Sequence, residues 1–181
     1  MTIGEDLEGN VIVFTGGGKG KTTAALGLAC RALGHAGRAT FIHFTGPTRP
    51  SLGEVHSAKV LSPMLRMIAI ESQASDEDYL DQFDEAVETV EAALDRAEEL
   101  LAGEQCNLLV LDDINPLLDE GIVQEARMGE LLAGKPKLAS VVFTGRSAPA
   151  WLAELADIVT DFAEVKHPAH SGVGPRKGIE Y

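Results

Sequence analysis

The chain has 181 residues, 45% hydrophobic and 24% charged, enough and ordinary enough to bury one real core. Its formal net charge of −13 excludes broad contact with a nucleic-acid backbone, which needs a basic face, though a local cationic pocket can still hold a small anion. No run approaches the ~18 apolar residues of a membrane span, and the acidic opening MTIGEDLEGN has no apolar signal-peptide core.

A short leader covers 1–9. NVIVFT (Asn10–Thr15) then reads as a buried strand, and Thr22–Leu33 as a helix ended by Gly34 and Gly37. RATFIHFT (Arg38–Thr45) is a second strand. Residues 46–62 contain glycine and proline without a clear period and read as a loop. RMIAIE (Arg66–Glu71) is a third strand. The longest helix is expected next. Leu80, Phe83, Val87, Val90, Leu94, Ala97 and Leu101 recur at steps of three and four, forming one apolar stripe with acids on the opposite, solvated face. Ser75, with Asp78 three residues on, is the expected N-cap, and Gly103 the stop. NLLVLD (Asn107–Asp112) is a fourth strand, Ile122–Leu132 a helix, and LASVVFT (Leu138–Thr144) a fifth strand. Pro149–Ala156 makes a short helix with proline in its first turn. Asp157–Asp161 and Glu164–Lys166 read as short strands before a Gly- and Pro-rich tail over 167–181. Continuous apolar strands separated by helices predict a parallel sheet covered on both faces. Cys30 and Cys106 suggest neither a disulfide framework nor a metal site, so a reducing cytoplasm is expected.

The stretch VIVFTGGGKGKTT carries the chemistry. It follows a strand and opens a helix, the context in which a glycine pattern becomes an anion site. The usual spacing, Gly, four residues, then Gly-Lys-Ser/Thr, fails because Thr15 stands five places before Gly20; counted from Gly16, the loop is one residue short. Gly16, Gly17, Gly18 and Gly20 would let backbone N–H groups point inward, and the helix N-terminus adds its positive dipole end. Lys21 is expected against phosphate oxygens, Thr22 offers a hydroxyl to Mg²⁺, and Lys19 adds charge or faces water. In LLVLDD, Asp112 or Asp113 would hold Mg²⁺ directly or through water at the carboxyl edge of the sheet. Hydrolases of this class commonly place a glutamate next to that aspartate to activate water. Asp113 is one methylene shorter, which suits Mg-nucleotide binding better than water activation. The fold class expected is therefore a single P-loop NTPase-like (RecA-like) α/β domain over 1–181, a mostly parallel sheet with helices on both faces in three α/β/α layers.

Taken with GLACRALGHAGRATFIHF, VVFTGRSAPAWLAELADIVTDFAEVKHP and the terminal GVGPRKGIEY, these motifs resemble the ATP:corrinoid adenosyltransferases that act on cob(I)alamin and cob(I)yrinic acid a,c-diamide. The likeness covers about two thirds of the chain by inspection. It implies transfer of the 5′-deoxyadenosyl group of ATP to Co(I) with triphosphate leaving, in adenosylcobalamin biosynthesis or salvage. In that family the shortened loop is normal and the triphosphate runs opposite to the usual direction. The resemblance makes Lys21, Lys19 and Arg146 catalytic. It places Gly16, Gly17, Gly18, Lys19, Gly20, Lys21, Thr22, Thr23, Arg31, Arg146, Lys166 and His167 against nucleotide or corrinoid, and Thr22, Asp112 and Asp113 against the metal, Asp113 standing where the family has a Mg²⁺-binding glutamate. ATP as co-substrate, Mg²⁺ and a reduced corrinoid follow. A reduced flavoprotein as electron donor and a homodimer are admitted; nucleic acid and membrane are not expected.

Other readings stay open for single residues. Arg31 also suits a surface cation near a helix end, and Arg146 a loop charge. His167 is not expected as an axial cobalt ligand; His35, His43, His56 and His170 read as structural or exposed. The family pattern departs at Gly17 (usually Asn), at HFTGP (often QFIKG), and at IAIESQASDEDYL, where a GFxW-type aromatic patch is common; Trp151 lies elsewhere and reads as core. A divergent P-loop ATP-binding protein or ATPase that has lost the corrinoid reaction is the second reading.

Overall fold

A computed structural model describes residues 8–44, 53–70, 85–87, 89–103 and 105–180. In chain order the elements are β1 (Val11–Thr15), α1 (Lys21–Leu33), β2 (Ala39–His43), α2 (Gly53–Leu61), β3 (Leu65–Ile70), β4 (Glu85–Val87), α3 (Val90–Ala102), β5 (Leu108–Asp112), α4 (Asn115–Asp119), α5 (Glu125–Ala133), β6 (Ser140–Thr144), α6 (Ala150–Leu155) and β7 (Ile158–Asp161), followed by a 3₁₀ turn at Pro168–Ser171. The strands form one sheet in the order β4-β3-β2-β5-β6-β1-β7, every pair parallel.

Why this is a three-layer structure is visible in the strands themselves. Successive side chains point to opposite faces, and both faces are apolar. Val13, Ile42, Ile68, Leu111 and Phe143 pack under Leu94, Leu101, Met128, Leu131 and Leu152 of α3, α5 and α6. Ile12, Phe14, Phe41, Met67, Val110 and Val142 pack under Ala25, Ala29, Val55 and Ala58 of α1 and α2. The expected P-loop NTPase-like α/β/α fold is what forms. Among the described residues no helix is long and apolar enough to cross a membrane. Trp151 packs, partly buried, against the first of these clusters, as a core reading expects.

Four expectations are corrected. The stretch read as loop contains α2: only Val55 and Ala58 of that helix are buried, too short a stripe to show as a period. The long helix is shorter than its stripe. Val87 belongs to β4, in register with Ile70, and α3 starts at Val90, where the Thr89 hydroxyl accepts the Ala92 N–H at 3.0 Å. Strand pairing overrides a helical spacing that Val87 satisfies only by coincidence. Ser75, Asp78, Leu80 and Phe83 lie outside the described residues; Gly103 does end the helix. Glu164–Lys166 is not a strand: the Val165 N–H turns back to the Ala163 carbonyl, and its side chain is 94% exposed. The short helix α4 was not expected at all; Pro116 sits in its first turn.

β6 is inserted between β1 and β5. The strand that launches the glycine loop and the strand that ends in Asp112 are therefore one strand apart. A residue at the end of β6 can bridge them.

Candidate active site

At the carboxyl edge of the sheet the strands end in Thr15, His43, Asp112, Thr144 and Asp161. The glycine loop rises from β1 into this row of polar side chains. Its shape is set by contacts to the chain segment after β7. A Cβ on Gly16, whose φ is +99°, would lie 2.1 Å from Asp161 Oδ1, and one on Gly18 would lie 2.6 Å from the Phe162 carbonyl oxygen. Only glycine permits so close an approach. Phe162 is held in turn by edge-to-face contact with Phe14, ring centroids 5.5 Å apart.

These contacts correct one expectation. The Gly16 N–H donates to the Arg146 carbonyl (2.9 Å) and the Gly18 N–H to the Phe162 carbonyl (2.6 Å), so neither points at a ligand. The N–H groups left without intrahelical acceptors are instead those of the first turn of α1. Its N-cap, Gly20 at φ 110°, provides no side-chain cap.

Lys21 opens α1 with its side chain turned back into the loop, donating to the carbonyls of Gly16 and Gly18, both at 2.7 Å. It is 9% exposed. Burial holds its ammonium below the ordinary lysine value; Asp113 opposes this, Arg146 reinforces it, and Asp112 and Asp161 oppose it further.

Behind the loop lies a buried network. The Thr22 hydroxyl donates to Asp112 Oδ1 at 2.9 Å, and the Thr144 hydroxyl donates to the same oxygen at 2.6 Å. Thr144 also accepts the Asp113 N–H at 2.9 Å. This fixes Asp113 in its left-handed conformation, φ 60°, unusual for a residue with a side chain. Asp112 Oδ2 meets His43 Nδ1 at 2.8 Å, the pair 1% and 3% exposed. An ionised carboxylate only accepts, so Nδ1 carries the proton. Burial alone would raise the Asp112 pKa, but the His43 contact and the Thr144 and Thr22 hydroxyls outweigh it and hold the carboxyl below its ordinary value.

In front of the loop is a cleft of about 960 Å³. It is lined by Gly17, Gly18, Lys19, Gly20, Lys21, Thr22 and Thr23 on one side and by Asp113, Arg146 and His167 on others. Gly16 and Asp112 stand just behind this lining. Two expected residues are not brought here: Arg31 is exposed in the last turn of α1, ten residues beyond Lys21, and Lys166 is exposed outside the lining. The Arg146 backbone is anchored, its carbonyl also accepting from the Thr15 hydroxyl at 3.1 Å, while the residue itself is exposed.

The cleft has a wall the motifs did not announce. Gly178, Ile179 and Glu180 return from the tail to line it, and Glu180 Oε1 is 3.7 Å from Lys19 Nζ. The Arg176 N–H bonds the other Glu180 oxygen at 2.7 Å, and this bond chiefly keeps the carboxyl below its usual range. His170 is exposed, as expected, and it also lines the cleft and contacts Glu164 at 2.5 Å. Thr144 went unsingled in the sequence, and His43, read there as structural or exposed, is a buried partner of Asp112; the signal was there, since each ends an apolar strand with a polar residue.

A glycine loop between β1 and α1, a threonine hydroxyl against a buried aspartate one strand removed, and a cleft at the sheet edge that brings Lys19, Lys21 and Arg146 to that loop define a P-loop nucleotide-binding protein. The profile of one family, described as ATP:corrinoid adenosyltransferase BtuR/CobO/CobP, matches residues 7–181, and the chain belongs to that family. Among similar proteins, a corrinoid adenosyltransferase of Pseudomonas aeruginosa is 32% identical over 97% of this chain and 85% of its own length. That of Escherichia coli is 30% identical over 98% and 88%, and that of Salmonella typhimurium 31% identical over the same shares.

Proposed function

We propose that this chain transfers the 5′-deoxyadenosyl group of ATP to the Co(I) of a reduced corrinoid, releasing triphosphate. The observation that carries this reading is the loop-lined cleft, where Lys19, Lys21 and Arg146 line the same space as Asp113 and the uncapped start of α1. Cobalt(I) donates an electron pair to C5′, the C5′–O bond breaks, and its electrons leave on the triphosphate. The nucleophile carries no proton, so no general base is required. The protein's part is to position C5′ and to neutralise the leaving oxygens. Lys21 must exchange its two loop carbonyls for phosphate oxygens, and its ready desolvation makes that exchange favourable.

Thr22 and Asp113 would hold Mg²⁺ beside the phosphates, and the ion would supply further neutralisation there. The donor set fits: these are hard oxygen ligands at an open cleft, and among the described residues no group of three or more His, Cys, Asp or Glu forms a closed cage. Mg²⁺ typically uses one or two carboxylates plus phosphates and water. Asp112, whose oxygens are already engaged by His43, Thr22 and Thr144, would act through water. Bringing cobalt to Co(I) needs an external electron donor, for which a reduced flavoprotein is chemically suited. Two free cysteines, Cys30 exposed and Cys106 buried with its thiol pushed up to about 11 chiefly by burial, suit a reducing cytoplasm.

Incubation with ATP, Mg²⁺ and chemically reduced cobalamin tests the proposal. A light-sensitive cobalt–carbon product with stoichiometric triphosphate is expected. Phosphate release without that product would favour the ATPase reading instead. In the same assay Lys21→Ala should lose transfer by about 10²-fold or more while remaining folded; undiminished turnover would remove Lys21 from the mechanism.

A further inference from the structure

His43 has no part in the roles above, yet it is built into the site more tightly than several residues that do. It ends β2 and Asp112 ends β5, and the two are direct register partners on adjacent parallel strands. Their side chains therefore rise together on one face of the sheet edge. The contact from Nδ1 to Oδ2 is 2.8 Å, in a region 3% and 1% exposed. Oδ1, the other oxygen, takes both the Thr22 and the Thr144 hydroxyls. An aspartate has one rotatable bond beyond Cβ, so whatever holds Oδ2 decides which way Oδ1 faces.

We infer that His43 is a positioning residue for the metal–nucleotide site: by fixing the Asp112 carboxylate it makes the Thr22 hydroxyl donate inward, leaving the lone pairs of Thr22 facing the cleft. A threonine oxygen whose proton is committed to Asp112 presents only acceptors outward, which is what a cation beside the phosphates needs. Partners that orient a ligand in this way typically matter 10- to 100-fold, roughly, to affinity. The same Asp112 oxygen, through Thr144, reaches the Asp113 N–H, so His43 orients both proposed metal donors from one point.

The inference rests on Mg-ATP being the ligand, and its test needs no corrinoid. ATP affinity is measured by equilibrium dialysis in Mg²⁺ and in EDTA, for the wild type, His43→Asn and His43→Leu. Asparagine keeps an N–H near the Nδ1 position; leucine fills the space without a donor. All three should bind metal-free ATP alike. The metal-dependent gain should survive within about twofold in His43→Asn and fall by about tenfold or more in His43→Leu. A leucine variant with the wild-type gain, or an asparagine variant as poor as leucine, overturns the inference. Should the leucine variant not fold, the wild-type ring decides. Its Nδ1–H signal in ¹⁵N-edited spectra should shift on adding Mg-ATP and stay in place with ATP in EDTA. A signal indifferent to the metal overturns it. A wild type without metal-dependent ATP binding would instead remove the functional reading beneath it, and dialysis separates that outcome from the others.

Discussion

Gly17 and Gly18 are neighbours in the same loop, yet they are glycine for different reasons. A Cβ on Gly18 would press 2.6 Å from one carbonyl oxygen and 2.8 Å from the next, both backbone atoms that cannot swing away. A Cβ on Gly17 would meet nothing within 4 Å. Gly18→Ala should therefore cost about 1–3 kcal/mol, and Gly17→Ala should stay within about 0.5 kcal/mol, both read by urea denaturation. Equal losses would mean the loop is not clamped by the segment after β7. At this scale the sequence was informative where the chemistry is local. The run from Thr15 to Thr22 specifies strand, turn and helix start within a few residues. The His43–Asp112 pair was illegible because 69 residues separate its members, and only the strand order β2-β5 makes them adjacent.

Between elements, the acidic face of α3 is less idle than a solvated stripe would be. Arg127 on α5 reaches across to Glu91, Asp95 and Glu98, which lie one above another on α3. The Glu98 contact is the main cause of its raised pKa. The three carboxylates are 39–71% exposed, so screening limits the clamp. Arg127→Ala should lower stability by about 1 kcal/mol at low salt. Most of that difference should vanish at about 1 M NaCl, where the Debye length is about 3 Å. A loss indifferent to salt would point to packing of the arginine stem instead. Strands were legible as elements because both of their faces are buried and their apolar runs are continuous. α2 was not, since two buried side chains make no period, and the beginning of α3 was not, since strand pairing at β4 competes with a helical spacing that Val87 also satisfies.

Across the molecule, residues from both ends of the chain meet at one cleft. The tail returns 161 positions later to set Glu180 beside Lys19, a placement no local motif encodes. That carboxylate faces a cation that the proposed function assigns to the triphosphate. Glu180→Gln should tighten ATP binding roughly two- to fivefold, the range expected of a weak ion pair, as read by dialysis. Weaker binding would make the tail a positive part of the nucleotide site rather than a competitor.

The first turn of α1 begins at a glycine with no side chain to cap it. A helix so begun is finished by its ligand: three phosphoryl groups would supply the acceptors that serine or aspartate supplies elsewhere. Loading then extends secondary structure as well as filling a space, and amide protection should spread from Lys21 along the helix toward Ala29 as nucleotide is added. A grip on ATP and the order of one helix end would then be the same equilibrium, seen from two sides.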